Sequence, residues 1–347
     1  MRDPVRIGDT SVSAGQRRTI DLPIAKLYTH TDMTLPVHVI HGRKDGPRLF
    51  VSATVHGDEI NGAEIIRRLL RLKLLNRLHG TLVAIPIVNV YGYVSHTRYL
   101  PDRRDLNRSF PGSEKGSLAG RLAHLFLDEI VSGCTHGIDL HSGSNHRQNL
   151  PQIRASLDDP DTARMARSFG APVVIESKMR DGSLREAVRE MGSPMLVYEA
   201  GEALRFNETA INLGVRGIVS VMREIGMLPR RKAKTETFEP LVAMSTTWVR
   251  APISGILPWR RPLGAQIEKG DAVAVVADPF GEEETIVRSP VHGVVIGRLN
   301  LPMVHAGDAM FNIASLDNTL DVEGTMEAFD NFPTPQDGPD YEFIDDV

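Results

Sequence analysis

Three residues of metal-ligand type stand where short apolar runs of the sequence end. His56 and Glu59 follow the run "RLFVSATV", three positions apart, and His141 closes the run "GIDLH". In an open α/β sheet the carboxyl ends of the strands form a rigid crevice in which ligands bind. Two histidines and one glutamate leave a fourth zinc position for water, which is typical of catalytic zinc sites. The sequence therefore predicts one zinc ion per chain, held by His56, Glu59 and His141.

The first pair has an alternative interpretation. A His-x-x-Glu spacing is also typical of an ordinary helix start, where Asp58 and Glu59 would interact favourably with the helix dipole. The second strand end favours the metal site over this alternative. Asp139 precedes His141 by two residues, on the same face of the pleat, so it either orients a ligand from behind or caps the turn.

A zinc hydrolase also needs a base, a cation for the developing oxyanion and a group that positions substrate. The run "PMLVYEAGE" delivers Glu199 at the end of another strand, before Gly201, where the backbone must turn sharply. We predict Glu199 as the general base, with Glu202 as its competitor. Tyr198 should point away from the site, because side chains alternate along a strand.

The loop "SHTRYLPDRRDLNRSFPG" is rich in arginine. Asn107 beside Arg108 suits a substrate carboxylate, which a guanidinium binds through two parallel hydrogen bonds. The segment "NHRQNLPQIR" after His141 offers further polar residues that could determine specificity or could lie on the surface: His146, Arg147, Asn149 and Arg154.

These residues lie in a body of alternating strands and helices. From about residue 49 to 226, short β-branched runs alternate with amphipathic segments such as Asn61 to Leu75, which predicts an α/β fold with a mainly parallel sheet. The alternating stretch before it, within residues 1–46, predicts an antiparallel hairpin at the edge of that sheet.

A second unit is predicted after the segment "PRRKAKTETFEP", which has no apolar periodicity. Beyond it "RAPISGIL" is echoed by "RSPVHGVV", and "KGDAVAVVAD" by "AGDAMFNIAS". Two similar halves of short strands predict a small β barrel or sandwich, and the repeat resembles the barrel-sandwich fold of biotinyl and lipoyl domains. The hairpin "DPFGEEETIV" lacks the lysine that those domains modify. We predict units at residues 1–228 and 229–316.

The remaining residues, 317–347, hold ten acidic residues and no lysine or arginine. This composition predicts a solvated tail; the alternative is a tail that contacts a basic face such as "PRRKAK" or the mouth of the site.

The composition narrows the class of protein. A net charge of −4 with 24% charged residues argues against nucleic acid as a partner, and no apolar run is long enough to cross a membrane. A single cysteine and the lack of an apolar leader predict a cytoplasmic protein. Self-association remains open.

The ordered set "HGDE", "TRY" with "DLNRSFPG", "DLH" and "YEAG" resembles the succinylglutamate desuccinylase/aspartoacylase family of the zinc carboxypeptidase-like proteins. The resemblance implies a carboxypeptidase-like αβα sandwich with a mixed, mainly parallel sheet, followed by the barrel domain that many bacterial members append. It also implies a role for each site residue: zinc ligation for His56, Glu59 and His141, water activation for Glu199, oxyanion stabilisation for Arg98, and a carboxylate clamp made of Asn107 and Arg108. The "PDRR" insertion leaves Arg103 or Arg104 as alternatives to Arg98.

Together these features predict a zinc-dependent deacylase that hydrolyses the amide bond of a small N-acyl amino acid. The nearest alternative is a carboxypeptidase that acts on peptide or poly-amino-acid C-termini with the same residues. A third hypothesis, a non-catalytic interaction protein around a degenerate zinc site, is disfavoured because every expected catalytic residue is present.

Overall fold

The structure is a computed structural model that describes residues 2–230, 239–317 and 321–330. Its strands are β1 (Val5–Ile7), β2 (Thr10–Val12), β3 (Arg17–Lys26), β4 (Asp32–His41), β5 (Lys44–Ala53), β6 (His79–Ile85), β7 (His136–Gly143), β8 (Arg147–Ala155), β9 (Val173–Glu176), β10 (Met195–Glu202), β11 (Leu241–Ala243), β12 (Ser245–Arg250), β13 (Gly255–Arg260), β14 (Gln266–Ile267), β15 (Ala272–Ala277), β16 (Glu284–Arg288), β17 (Gly293–Leu299), β18 (Met303–Val304) and β19 (Ala309–Ser315). Its α-helices are α1 (Asn61–Leu70), α2 (Val90–Val94), α3 (Leu118–Glu129), α4 (Pro160–Phe169), α5 (Leu184–Glu190), α6 (Glu208–Glu224) and α7 (Val322–Asp330), and 3₁₀ turns cover Lys73–Arg77, Leu106–Arg108 and Val131–Gly133.

A large mixed sheet forms the centre of the molecule, in the order β12-β19-β17-β8-β10-β7-β5-β6-β4-β3. Strands β10, β7, β5 and β6 are parallel neighbours, as their continuous apolar runs predict. The β3–β4 hairpin is antiparallel and lies at the edge. The α/β fold with a C-terminal antiparallel unit is thereby confirmed.

Apolar side chains fill both faces of this sheet. One buried cluster joins it to α1, α4 and α6 through residues such as Ile65, Met165 and Ile218. A second cluster joins the other face to α3 and α5 through Leu122 and Val188. Each fully buried aliphatic side chain contributes about 1.5–3 kcal/mol, so these layers hold the strand ends in fixed positions. The helix predicted over residues 61–75 is shorter than expected, because α1 ends at Leu70 and a 3₁₀ turn follows.

The internal repeat corresponds to two equivalent hairpins. Strands β13 and β15 pair in one sheet, and their counterparts β17 and β19 pair in the other. The Gly-Asp turns also match: Gly270 and Gly307 both have positive φ, at 96° and 89°. In each turn the aspartate that follows, Asp271 or Asp308, accepts a hydrogen bond from the backbone amide three residues before it. The two halves fold around a shared apolar core, as the repeat predicts.

The C-terminal strands are joined to the body by backbone pairing. Strand β17 pairs with β8, and β11 pairs with β9. Strand β8 was not predicted; it runs antiparallel between β10 and β17 and makes one sheet of the two units. The unit boundaries at 228 and 316 stay predictions, and most of the crossover segment lies outside the described residues.

The interpretation of residues 317–347 as a solvated tail is wrong for its first part. Helix α7 lies there, with Val322 and Phe329 only 2% and 8% exposed within the hydrophobic clusters. These apolar side chains outweigh the acidic composition of the segment locally. Residues 331–347, on which the rest of that prediction falls, lie outside the described part of the chain.

Among the described residues, no helix combines the length and the hydropathy needed to cross a bilayer.

Candidate active site

The three predicted metal ligands lie together at the carboxyl ends of β5 and β7. Ligand atoms of His56, Glu59 and His141 are all within 4.8 Å of one another, and all three side chains are buried. The two oxygens of Glu59 are divided between the histidines: Nδ1 of His56 lies 2.7 Å from Oε1, and Nδ1 of His141 lies 2.8 Å from Oε2. The two imidazoles and the carboxylate thus converge on one point.

The turn after β5 can place these side chains only because Gly57 has no Cβ. A Cβ at Gly57 would lie 2.0 Å from the carbonyl carbon of Gly92. The backbone of α2 therefore approaches this turn directly, and any other residue at position 57 would push His56 and Glu59 out of place.

Each histidine is held from behind by a carboxylate. Nε2 of His141 lies 2.7 Å from Oδ2 of Asp139, whose Oδ1 accepts a hydrogen bond from Ser52. Nε2 of His56 lies 3.2 Å from Oδ1 of Asp105. Histidines that bind metals almost always have such a partner on the second ring nitrogen, which fixes the ring and the tautomer. Asp139 therefore has the orienting position that the sequence left open.

Asp105 was missed in the sequence. Besides holding His56, its carboxylate accepts two hydrogen bonds from Arg98 and one from the backbone amide of Asn107. It thereby links a metal-type ligand, the predicted oxyanion-stabilising arginine and the turn that carries the predicted clamp. The only signal in the sequence was that an aspartate begins the motif "DLNRSFPG". Its position alone cannot distinguish a partner of a metal ligand from a helix cap.

Mutual charge stabilisation governs the ionisation of this cluster. Burial would raise the pKa of Glu59, but the two imidazoles outweigh it and hold that pKa well below its usual range. Burial would likewise lower the pKa of His56 and His141, but Glu59 with Asp105 or Asp139 raises both. Metal binding requires neutral imidazoles. A cation between these residues would therefore displace the protons that lie between each Nδ1 atom and the Glu59 carboxylate.

The residues fit a metal ion. Two imidazole nitrogens and one carboxylate form a buried donor set. The Nδ1 atom of each histidine faces Glu59, and the Nε2 atom contacts Asp105 or Asp139, which fixes the ring. The arrangement can hold a divalent cation.

Glu199 lies beside the cluster, since it pairs with His141 across β10 and β7. Its Oε2 accepts a hydrogen bond from Asn149 at 2.8 Å. Nε of Arg154 lies 3.1 Å from Oε1 but outside hydrogen-bond geometry, so this contact is an ion pair. The competitor, Glu202, instead accepts from Asn300. Gly201 has a φ of 77°, which is the sharp turn that the sequence predicts.

Tyr198 points into the core, as strand alternation predicts. It is fully buried, and its hydroxyl donates to the carbonyl of Ala210.

Arg98 is the arginine of the loop that reaches the cluster. Its Nη1 lies 3.2 Å from Oε1 of Glu59, and burial does not prevent Glu59 and Asp105 from raising its pKa. The alternatives, Arg103 and Arg104, are exposed and do not line the cavity in front of the cluster.

Asn107 and Arg108 occupy the 3₁₀ turn that follows Asp105. Oδ1 of Asn107 accepts a hydrogen bond from the amide of Leu184, which fixes the amide group and leaves its NH₂ as a donor. Arg108 is exposed and donates to the carbonyl of Asn107. Both line the same cavity as the metal-type ligands.

This cavity has a volume of about 450 Å³ and brings together every site residue that the sequence predicts. Of the predicted specificity residues, Arg147, Asn149 and Arg154 line it. The C-terminal unit supplies part of its wall, through Trp248, Arg250, Asp308 and Asn312.

One end of the cavity, here called the arginine end, consists of Arg154, Arg180 and Arg185. Burial, followed by repulsion from Arg154, lowers the pKa of Arg185 to about 10. Arg185 donates to the carbonyls of Ser177 and Lys178, yet its Nη1 is buried and has no hydrogen-bond partner among the described residues. Arg180 and Arg185 were missed in the sequence, because they lie in the loop before α5 and in its first turn, far along the chain from the predicted ligands.

The chain matches known proteins over most of its length. The catalytic-domain model of the succinylglutamate desuccinylase/aspartoacylase family matches residues 45–225. An N-alpha-acetyl-L-2,4-diaminobutyric acid deacetylase from Halomonas elongata is 26% identical over 300 residues, which cover 82% of this chain and 87% of that protein.

Two solved structures share the fold. The product-bound ectoine utilization protein EutE (DoeB) from Ruegeria pomeroyi has a TM-score of 0.78 at 23% identity, covering 91% of this chain and 96% of that one. A succinylglutamate desuccinylase/aspartoacylase from Rhodobacter sphaeroides has a TM-score of 0.77 at 23% identity, covering 91% and 97%. Because the family model spans more than half of the sequence and includes the residues gathered at the cluster, the chain belongs to the succinylglutamate desuccinylase/aspartoacylase family.

Proposed function

We propose that this protein is a zinc-dependent deacylase that hydrolyses the amide bond of a small N-acyl amino acid. One observation carries the proposal: a buried His-Glu-His cluster, with each imidazole fixed by a carboxylate, shares a cavity with Glu199, Arg98, Asn107 and Arg108. Family membership supports the same chemistry.

Zinc is the metal that this donor set favours, because imidazole nitrogens suit it and three protein ligands leave a position open. Bound there, zinc would polarise the acyl carbonyl and lower the pKa of the attacking water. His56, Glu59 and His141 would hold it, with Asp105 and Asp139 fixing the two rings.

Glu199 is the base in this proposal. Its carboxylate takes a proton from the attacking water and later delivers that proton to the nitrogen of the departing amine. Asn149 and Arg154 hold the carboxylate at the cavity wall, so it need not reorganise between the two transfers.

Arg98 would stabilise the negative charge that develops on the carbonyl oxygen. Its guanidinium is held by Asp105 and lies next to Glu59, so the positive charge is in place before substrate arrives. Asn107 and Arg108 would bind the α-carboxylate and set the distance of the amide from the cluster.

The cavity favours a small, anionic substrate. A volume of about 450 Å³ lies in the range of small-molecule sites, and Trp248 and Arg250 of the C-terminal unit close one side of it. Among the described lining residues, seven are arginines and three are acidic. This excess of positive charge disfavours a substrate with a free amine, such as the one named for the Halomonas protein, and favours an N-acyl amino acid with a negative charge besides its α-carboxylate.

The test pairs metal content by elemental mass spectrometry with release of free amine from a panel of N-acyl amino acids. The panel contains acidic, neutral and amine-bearing members and short peptides. We expect about one zinc per chain and fastest turnover of an acidic member. Cleavage of peptides alone would favour the carboxypeptidase alternative, and failure to bind zinc would remove the proposal.

A further inference from the structure

Strand β16 forms an open edge of the C-terminal sheet. That sheet has the order β16-β15-β13-β18, and among the described residues no strand pairs with the outer side of β16. An edge strand presents unpaired backbone donors and acceptors, which another strand can extend. Natural edges are commonly covered or interrupted. Strand β16 contains no proline, and its pairing with β15 is regular from Glu284 to Val287; one register shift lies at the end of the strand, where Arg288 pairs with Ala272.

The charges on β16 are arranged for pairing with a second copy of itself. The strand reads Glu-Thr-Ile-Val-Arg, with Glu284 and Arg288 at equal distances from the central Ile286. If two copies pair antiparallel about a two-fold axis at Ile286, Glu284 of each copy lies opposite Arg288 of the other. A two-fold interface makes every such contact twice, and opposite charges across neighbouring strands stabilise a sheet.

Both charged side chains are available for this contact. Glu284 has no ion-pair partner among the described residues. Arg288 is exposed and uses Nη1 to donate to the carbonyl of Gly270, which leaves the other guanidinium nitrogens as donors.

A row of apolar side chains on the outer face of the same sheet also fits pairing about a two-fold axis at Ile286. Ile286 pairs with Val275, and Val275 pairs with Trp259, so the three side chains form one row on the outer face. Ile286 is 53% exposed and Trp259 is 43% exposed. Pairing about Ile286 would place the two isoleucines together and join the two rows into one continuous apolar strip.

We propose that two copies of this chain associate through β16, antiparallel and in the register that pairs Glu284 with Arg288 of the partner subunit. The two four-stranded sheets then form one eight-stranded sheet. This inference is independent of the proposed deacylase activity, because no residue of β16 lines the cavity.

The test is a charge-swap cycle followed by sedimentation velocity over a concentration series. The unmodified full chain should show about twice the chain mass of 38.2 kDa. Glu284→Arg and Arg288→Glu should each raise the dimer dissociation constant about tenfold or more, since each places like charges together at two points. The double variant Glu284→Arg/Arg288→Glu should return the dissociation constant to near its original value.

Arg18→Glu is the matched control, because Arg18 is exposed on β3, the edge strand at the opposite end of the large sheet. It should leave association unchanged. A monomer at every concentration would overturn the proposal. So would a dimer that both single variants leave intact, or single-variant losses that the double variant does not reverse. Amide hydrolysis should be unaffected by all four variants, which separates this test from that of the proposed function.

Discussion

The two ends of the cavity differ in how their charges are paired. At the metal end, His56, Glu59 and His141 are no more than 5% exposed, and each ring nitrogen has a carboxylate partner. At the arginine end, positive groups crowd together, and within the described part of the chain the buried Nη1 of Arg185 has no hydrogen-bond partner. The polar groups of the metal end are paired with one another, whereas the arginine end has an excess of positive charge and one unpaired buried donor in the described chain, which suit an anionic group of the substrate. The difference suggests that the metal end sets the reaction and the arginine end sets the substrate.

The largest effect should come from removing a metal ligand. His141→Ala deletes one donor and leaves Asp139 without its partner, so zinc content should fall to near zero and turnover should fall by roughly four orders of magnitude. Metal analysis and amine release measure both quantities. Retention of full zinc content would contradict the assignment of the metal end.

Glu199→Gln should separate proton transfer from metal binding. The amide keeps the shape and the contact with Asn149 but cannot accept a proton, so kcat should fall by about two orders of magnitude or more. Zinc content should stay the same. Glu202→Gln is the control and should retain most activity, because Glu202 contacts Asn300 instead; the reverse outcome would exchange the two glutamates.

The two carboxylates behind the histidines should be distinguishable. Asp139→Asn and Asp105→Asn should each weaken zinc affinity by about 10–100-fold, the usual effect of losing such a partner. At saturating zinc, only Asp105→Asn should still lower kcat, because Asp105 also holds Arg98. Equal recovery of both variants in a zinc titration would show that Asp105 acts on the metal alone.

The arginine end should act on substrate binding. Arg180→Gln should raise KM for the acidic substrate about tenfold, consistent with the loss of one charged contact, and should leave zinc content unchanged. KM for a neutral N-acyl amino acid should change little. Arg103→Gln, an exposed arginine outside the cavity, is the control; an equal rise of KM in both variants would mean that general surface charge, and not this end, attracts the substrate.

The smallest effect should follow a change in the C-terminal wall. Trp248→Ala removes a side chain that borders the cavity and is 41% exposed. Hydrolysis of N-acyl amino acids with bulkier acyl groups should improve a few-fold relative to the best substrate, which is less than the about 10–200-fold that a methylene-sized change in a closed pocket can produce. An unchanged ratio of kcat/KM values would show that Trp248 does not limit substrate size.

The same contrast explains what the sequence could predict. His56 lies just after β5, and His141 and Glu199 lie near the carboxyl ends of β7 and β10, so the fold rule for strand ends was sufficient to bring them together. Glu59 was predictable because it stands three residues from His56. Local spacing and the rule for strand ends were thus sufficient to predict the residues of the metal end, with the exception of Asp105.

The arginine end could not be assembled in this way. Arg154 comes from β8, Arg180 from the loop before α5, and Arg185 from the first turn of α5. Strand β8 itself was missed because its sequence, "RQNLPQIRA", contains a proline and charged residues and lacks a continuous apolar run. Without β8 the position of the C-terminal strands relative to the cavity is undetermined.

Strand β8 also determines whether the C-terminal strands can be removed without damage to the rest of the protein. One side of β8 pairs with β10, which carries Glu199, and the other pairs with β17 at Arg147 to Asn149 and with β9 further along the strand. Asn149 is a partner in both ladders and also holds the Glu199 carboxylate. A fragment that stops before the C-terminal strands would expose this edge to aggregation and loosen the glutamate. The appended unit is therefore not a detachable module, and the chain should melt in one cooperative transition.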